Sequence, residues 1–129
     1  MSNYVQDLTQ FSEQALLVAA LQSLGLTVNV SDKPQKVSMW TAAKAEIVIP
    51  RQNGAYEPAG YRKTESGLFS AVISEEDRDG VYNAAWQAKV KQSYAEKGLM
   101  RQAQRAGLRL IGSPVTGTDG VRRIQYQKV

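Results

Sequence analysis

The sequence has no cysteine and no histidine. Without thiols there are no disulfides, no zinc ribbon, no iron–sulfur ligation and no cysteine nucleophile. Without imidazole the commonest metal ligand and the commonest general base are both missing. Catalytic triads built on either residue are excluded, and no metal or cofactor is expected. Long apolar runs are missing too. The longest, Ala15 to Leu21, is far too short to cross a bilayer, and Met1-Ser2-Asn3-Tyr4 lacks the basic start of a secretory signal. No membrane partner is expected, and the setting expected is the reducing cytoplasm.

What is present fits an ordinary small domain. The chain has 129 residues, 43% of them hydrophobic and 22% charged, and is expected to form a single domain over residues 1–129. A chain of that length buries roughly two thirds of its unfolded surface and needs no staples. Its net charge of +4 is unevenly spread. Residues 1–79 carry seven Lys/Arg against ten Asp/Glu, whereas residues 80–129 carry nine Lys/Arg against Glu96 and Asp119. A basic C-terminal half suits an acidic partner, whether protein or nucleic acid, and serves solubility equally well.

The elements follow from periodicity and punctuation. Tyr4, Val5 and Leu8 suggest a short opening strand. Ser12 is a candidate N-cap, Ala15, Leu16, Ala19, Ala20 and Leu24 recur at helical spacing, and Gly25 is a stop. Leu26-Thr27-Val28-Asn29-Val30 alternates as a half-buried strand does, and Ser31-Asp32-Lys33-Pro34 reads as a turn. Val37-Ser38-Met39-Trp40 is a further short candidate strand, and Ala45-Glu46-Ile47-Val48-Ile49 ends as a strand at Pro50. Gln52-Asn53-Gly54 signals a tight turn. Tyr61 to Thr64 and Leu68 to Ile73 read as an antiparallel pair across Glu65-Ser66-Gly67. Ser74-Glu75-Glu76-Asp77 reads as a helix cap followed by acids, with a long helix from about Val81 to Ala106 that stops at Gly107. Leu108 to Ile111 and Val121 to Tyr126 close the chain as a hairpin around Thr116-Gly117-Thr118-Asp119-Gly120. The fold class is α+β, an antiparallel sheet with two helices packed on one face, in the order β-α-β-β-β-β-α-β-β.

The long helix has two stripes. Val81, Ala84, Ala85, Ala88, Ala95, Leu99, Ala103 and Ala106 fall on one side, where small residues would let the helix lie close to the sheet. Tyr82, Trp86, Val90 and Tyr94 follow at i+4 steps on the other side, continued by Lys97 and Arg101. This second stripe either packs on the first helix or beneath a loop, or forms an exposed surface of the Tyr, Trp and Arg kind found at interfaces. The same stripe could stack bases while its cations meet phosphates.

Other chemistry is sparse. The glycines of residues 112–120 lack phosphate-loop spacing and read as a hairpin loop. Glu75, Glu76, Asp77 and Asp79 lack the alternation of a calcium loop and read as helix-start acids. An unrecognised hydrolase or transferase would need a pocket in which Glu46 or Glu57 meets a lysine.

The order of elements, with Leu24-Gly25-Leu26, Ala45-Glu46-Ile47-Val48-Ile49, Gly60-Tyr61-Arg62-Lys63, and Tyr94-Ala95 through Ala103, Gly107 and Leu108, resembles the Ycf35-like (DUF1257) family of small cyanobacterial, plastid and phage proteins. The stretch from Ser31 to Thr41 departs from that pattern. The resemblance implies a small accessory protein of a kind that phages also encode, and carries over no catalytic residue. The expected function is therefore non-catalytic: binding of a protein partner through the basic C-terminal half, with Trp86, Tyr94, Lys97, Arg101, Arg105, Arg122 and Arg123 as the contact residues. Self-association is one version of this. The alternative is single-stranded nucleic-acid binding by the same aromatic and basic stripe.

Overall fold

The structure is a computed structural model that describes residues 3–116 and 122–128. In chain order the elements are β1 (Tyr4–Leu8), α1 (Gln14–Ser23), β2 (Asn29–Lys36), β3 (Lys44–Ile49), β4 (Ala59–Lys63), β5 (Phe69–Ser74), α2 (Glu75–Arg78), α3 (Ala84–Arg105), β6 (Leu108–Thr116) and β7 (Arg122–Lys128). This is the expected α+β order with one added helical turn, α2. Five strands form an antiparallel sheet in the order β1-β5-β4-β3-β2, and β6 and β7 pair as a second, two-stranded sheet. The chain divides into two compact units, Met1–Tyr94 and Ala95–Val129. No helix of the described residues is long and apolar enough to cross a membrane.

The turn chemistry read from the sequence is in place at most corners. Gly25 and Gly107 take positive φ of 85° and 73° after the ends of α1 and α3, as helix stops in the left-handed region do. Asn53 and Gly54 both have positive φ, and Ala55 N–H donates to the Gln52 carbonyl across them. Ser74 caps α2, its hydroxyl accepting from Asp77 N–H. Residues 117–120 and Val121, where the closing turn of the last hairpin was expected, lie outside the described residues. β6 runs on through Thr116, well past the expected end at Ile111.

Two strand expectations are corrected. β2 does not turn at Ser31 to Pro34. Those residues lie inside the strand, where the register with β3 shifts between Val30 and Gln35, so that five residues of β2 advance against two of β3. Gln35 spans the bulge, its amide donating to the Asn29 and Glu46 carbonyls. A bulge accommodates Pro34 because it leaves backbone groups outside the ladder. Val37 to Trp40 is not a strand but the start of the β2–β3 connection.

The main core lies on the face of the five-stranded sheet covered by α1 and the first half of α3. Ile47, Ile49, Tyr61, Phe69, Ala71 and Ile73 of the sheet meet Leu17 and Leu21 of α1 and Tyr82, Trp86 and Val90 from the α3 side. The buried stripe of α1 centres on Leu17, Ala20 and Leu21, one position on from the expected Leu16 and Ala19. Over the first half of α3 the expectation is inverted, although Val81 ahead of it and Ala103 near its end are at least partly buried as expected. The aromatic stripe faces the sheet, while Ala84, Ala85, Ala88 and Ala95 are exposed. The physical reason is area: a buried Trp or Tyr removes far more apolar surface from water than an alanine, at about 25 cal/mol per Å². Phe11 stacks against Tyr94 at 4.6 Å and Tyr82 against Trp86 at 4.6 Å between ring centroids.

Candidate functional site

The other face of the sheet carries, among the described residues, a smaller cluster, Val37, Ala45, Val48 and Val72, with Tyr4 and Ala43 against it. Its cover is the β2–β3 connection. Val37 is buried, and its N–H donates to the Ala43 carbonyl at 3.0 Å, closing the loop at its base. Ser38 Oγ accepts from Trp40 N–H at 3.3 Å and Thr41 Oγ1 accepts from Ala43 N–H at 3.1 Å, two side-chain turns that supply the backbone partners a strand would otherwise give. The loop therefore turns Val37 and Ser38 inward and leaves its two largest side chains outside. Met39 is 82% exposed and Trp40 74%.

Three concave surfaces meet at Trp40. The largest, a groove of about 760 Å³, is lined among others by Tyr4, Lys36, Met39, Trp40, Lys44 and Glu57. A second runs past Trp40 to Arg51 and Tyr56, and a third to Arg62. Lys36 and Lys44 are direct cross-strand partners at the base of the loop, and both are exposed. Like charges opposite each other in an antiparallel pair are unfavourable. Among the described residues neither lysine, nor Arg62, is in an ion pair; the ion pair described is Arg78 with Asp7, at 2.8 Å.

The far wall of the groove is held from behind by one carboxylate. Asp77 of α2, 1% exposed, accepts from Tyr56 N–H at 2.8 Å and Glu57 N–H at 2.9 Å, and from the Ser74 hydroxyl at 3.1 Å. This fixes the segment that presents Tyr56, 69% exposed, and Glu57. The Tyr4 hydroxyl donates to the Pro58 carbonyl at 2.7 Å. Burial, with Glu57 and Asp77 adding negative potential, pushes the Tyr4 phenol up to about 12, so it stays a neutral donor.

Residues 20–124 match the family model described as "Protein of unknown function (DUF1257)". The chain belongs to the DUF1257 family. The match runs from the second half of α1 into β7 and includes the Trp40 loop, Tyr56 and Glu57. No curated protein and no solved structure matches the chain.

The contact residues expected from the sequence are dispersed in this DUF1257 protein. Trp86 lies in the main core. The Tyr94 hydroxyl accepts from Ser12 N–H and Glu13 N–H at 3.2 and 3.1 Å, just before α1, whose N-cap is Glu13 without a side-chain cap bond and not the expected Ser12. Lys97 and Arg101 are half-buried and Arg105 is exposed on the last turns of α3. Arg122 and Arg123 are on β7, in register with Thr116 and Val115 of β6. Of the two glutamates considered for catalysis, Glu46 is buried and accepts from the backbone N–H of Lys63 at 3.1 Å, not from a lysine amine. Glu57 is in the groove with Lys36 and Lys44. Among the described residues no group of acidic side chains could hold a metal ion.

Sequence reasoning passed over Met39 and Trp40. The signal was there: two adjacent large apolar residues point to opposite sides of a strand, and they are flanked by Ser38 and Thr41, which favour side-chain turns.

Proposed function

We propose that this DUF1257 protein is a small non-catalytic binding protein that holds an anionic macromolecule on the Trp40 face of its five-stranded sheet. The observation that carries this reading is the solvent-facing Met39-Trp40 pair over a groove with unpaired Lys36 and Lys44 at its base. A mostly exposed Trp is unusual unless it has a surface to meet, and the two opposed lysines, which outnumber Glu57 in the groove, gain attraction when a further anion is placed between them. The exposure of these lysines also favours binding over catalysis. A lysine that works as a base or nucleophile is normally desolvated.

The test uses the two tryptophans. In a Trp86→Phe variant Trp40 becomes the sole tryptophan emitter, and iodide should quench it more strongly than caesium because the site is cationic. Adding heparin as a polyanion probe should then shield Trp40 from acrylamide. Equal quenching by both ions, or no shielding by saturating heparin, would sink the reading.

A second reading keeps the protein partner on the basic C-terminal half, through Lys97, Arg101, Arg105, Arg122 and Arg123. It is favoured by charge: residues 95–129 hold seven Lys/Arg against Glu96 and Asp119. Heparin that binds without shielding Trp40, and is released by an Arg122→Ala/Arg123→Ala variant, would favour this second surface.

A further inference from the structure

Resting on the Trp40-face reading, we infer that the occupant of this face is a single strand of nucleic acid. Three features point to that class over an acidic peptide. First, the cations are spread over three concavities that share Trp40: Arg51 lines one, Lys36 and Lys44 the central groove with Glu57, and Arg62 the third. Such a spread suits a repeating backbone charge, which a single acidic side chain does not supply. Second, flat apolar surface alternates with that charge. Trp40 and Tyr56 stand 74% and 69% exposed within the same track, and every base offers a face to such a platform. Third, the platform sits on a rigid floor. Val48 and Val72 of the sheet are buried beneath it, and the Val37 side chain at the loop root packs over Gly60, within 3.3 Å of where a Cβ would stand. Stacking on a fixed surface costs less ordering on binding than stacking on a mobile one.

In this arrangement a base lies on the Trp40 indole, a neighbouring phosphate sits between Lys36 and Lys44, and the strand continues toward Tyr56 and Arg51. Double-stranded nucleic acid is excluded by the same geometry, because stacking on Trp40 requires an unpaired, unstacked base. The amide side chains along the track, Asn29 and Gln35 in one concavity and Asn3 and Gln6 in another, lie at its margins, so recognition rests on stacking and charge and is broad.

The experiment is fluorescence anisotropy of labelled oligo(dT) and oligo(rU) with the full chain, between about 50 and 200 mM salt. With three to four phosphates neutralised, the affinity should fall with a log–log slope of about 2 to 3. Trp40→Ala should weaken binding by about tenfold or more, and Trp40→Phe, which keeps a ring, should restore most of it. Lys36→Ala/Lys44→Ala should weaken binding and lower the salt slope, while Arg122→Ala/Arg123→Ala should leave both unchanged. A duplex of the same length should compete poorly. The inference is overturned if neither oligonucleotide binds at low salt, or if poly-glutamate displaces the oligonucleotides as well as unlabelled oligo(dT) does. It is equally overturned if Arg122→Ala/Arg123→Ala abolishes binding while Trp40→Ala does not. Heparin shielding of Trp40 without oligonucleotide binding would remove only the nucleic-acid assignment; loss of that shielding would remove the face itself.

Discussion

On one face of the five-stranded sheet, α1 and the first half of α3 close over Phe11, Tyr61, Phe69, Tyr82 and Trp86; on the other, Val37, Ala45, Val48 and Val72 have, among the described residues, a short loop for a roof. The two tryptophans mark the contrast. Trp86 is 9% exposed and Trp40 74%, although nothing in their immediate composition separates them. What separates them is the element each occupies. Trp86 is on a helix whose i+4 neighbours Tyr82 and Val90 give it a shared apolar stripe. Trp40 is at the tip of a connection whose backbone is tied to its own side chains. One face secures the fold, which leaves the other free to be shaped for a partner.

The sharpest way to break this comparison is to truncate both tryptophans. Trp86→Ala should cost about 3–5 kcal/mol in urea unfolding, and Trp40→Ala no more than about 0.5 kcal/mol. Similar losses would mean that the faces share the load. Asp77→Asn comes next, at about 2–3 kcal/mol, since the amide keeps one accepting oxygen and turns an NH2 donor toward the other of the Tyr56 and Glu57 N–H groups. Amide exchange at residues 56 and 57 should accelerate in that variant, because Asp77 is what attaches the groove wall to α2.

Gly60→Ala probes the floor of the thinner face. A Cβ there would meet the Ile47 carbonyl oxygen at 2.7 Å and the Ala45 Cβ at 2.8 Å. It should cost about 1–3 kcal/mol and shift the Trp40 emission, as the loop root at Val37 is pushed outward. The smallest effect spans both faces. Burial, with Asp77 adding to it, pushes the Tyr82 phenol up to about 12, as burial does for Tyr4 on the other side. Unfolded, both would ionise near 10. Their protonated forms are therefore favoured by folding, a contribution fully present below pH 10 and lost as pH rises toward 12. The urea midpoint should fall between pH 9.5 and 11.5, more shallowly in Tyr82→Phe.

Local chemistry was legible in the sequence wherever one residue decided the outcome. Gly25, Gly107, Asn53-Gly54 and the Ser74 cap are where their φ preferences or hydroxyl chemistry place them. Outcomes that depend on competition between distant surfaces were not legible. The alanines and the aromatics of α3 are equally good helical stripes by spacing, and the larger apolar area of the aromatics decides the outcome only once α1 and the sheet are there to receive them. The same holds for the site. Ser38 and Thr41 announce turns, but that the turns would raise Trp40 over the sheet depends on the bulge in β2, which no periodicity reports. Likewise Asp77 reads as one more helix-start acid until Tyr56 and Glu57, some 20 residues earlier, are brought to it.

The Tyr94 hydroxyl at the start of α1 has a consequence for the order of folding. α1 has ten residues and no side-chain cap of its own, which is too short to persist alone in water. The N–H groups of Ser12 and Glu13, the two residues that lead into it, are satisfied from a residue more than 80 positions downstream. The helix must therefore wait for the middle of α3 to arrive, so a peptide of residues 11–26 should be largely unstructured. Closure of that long loop, not the local propensity of the alanine-rich segment, should set the pace at which the main core assembles.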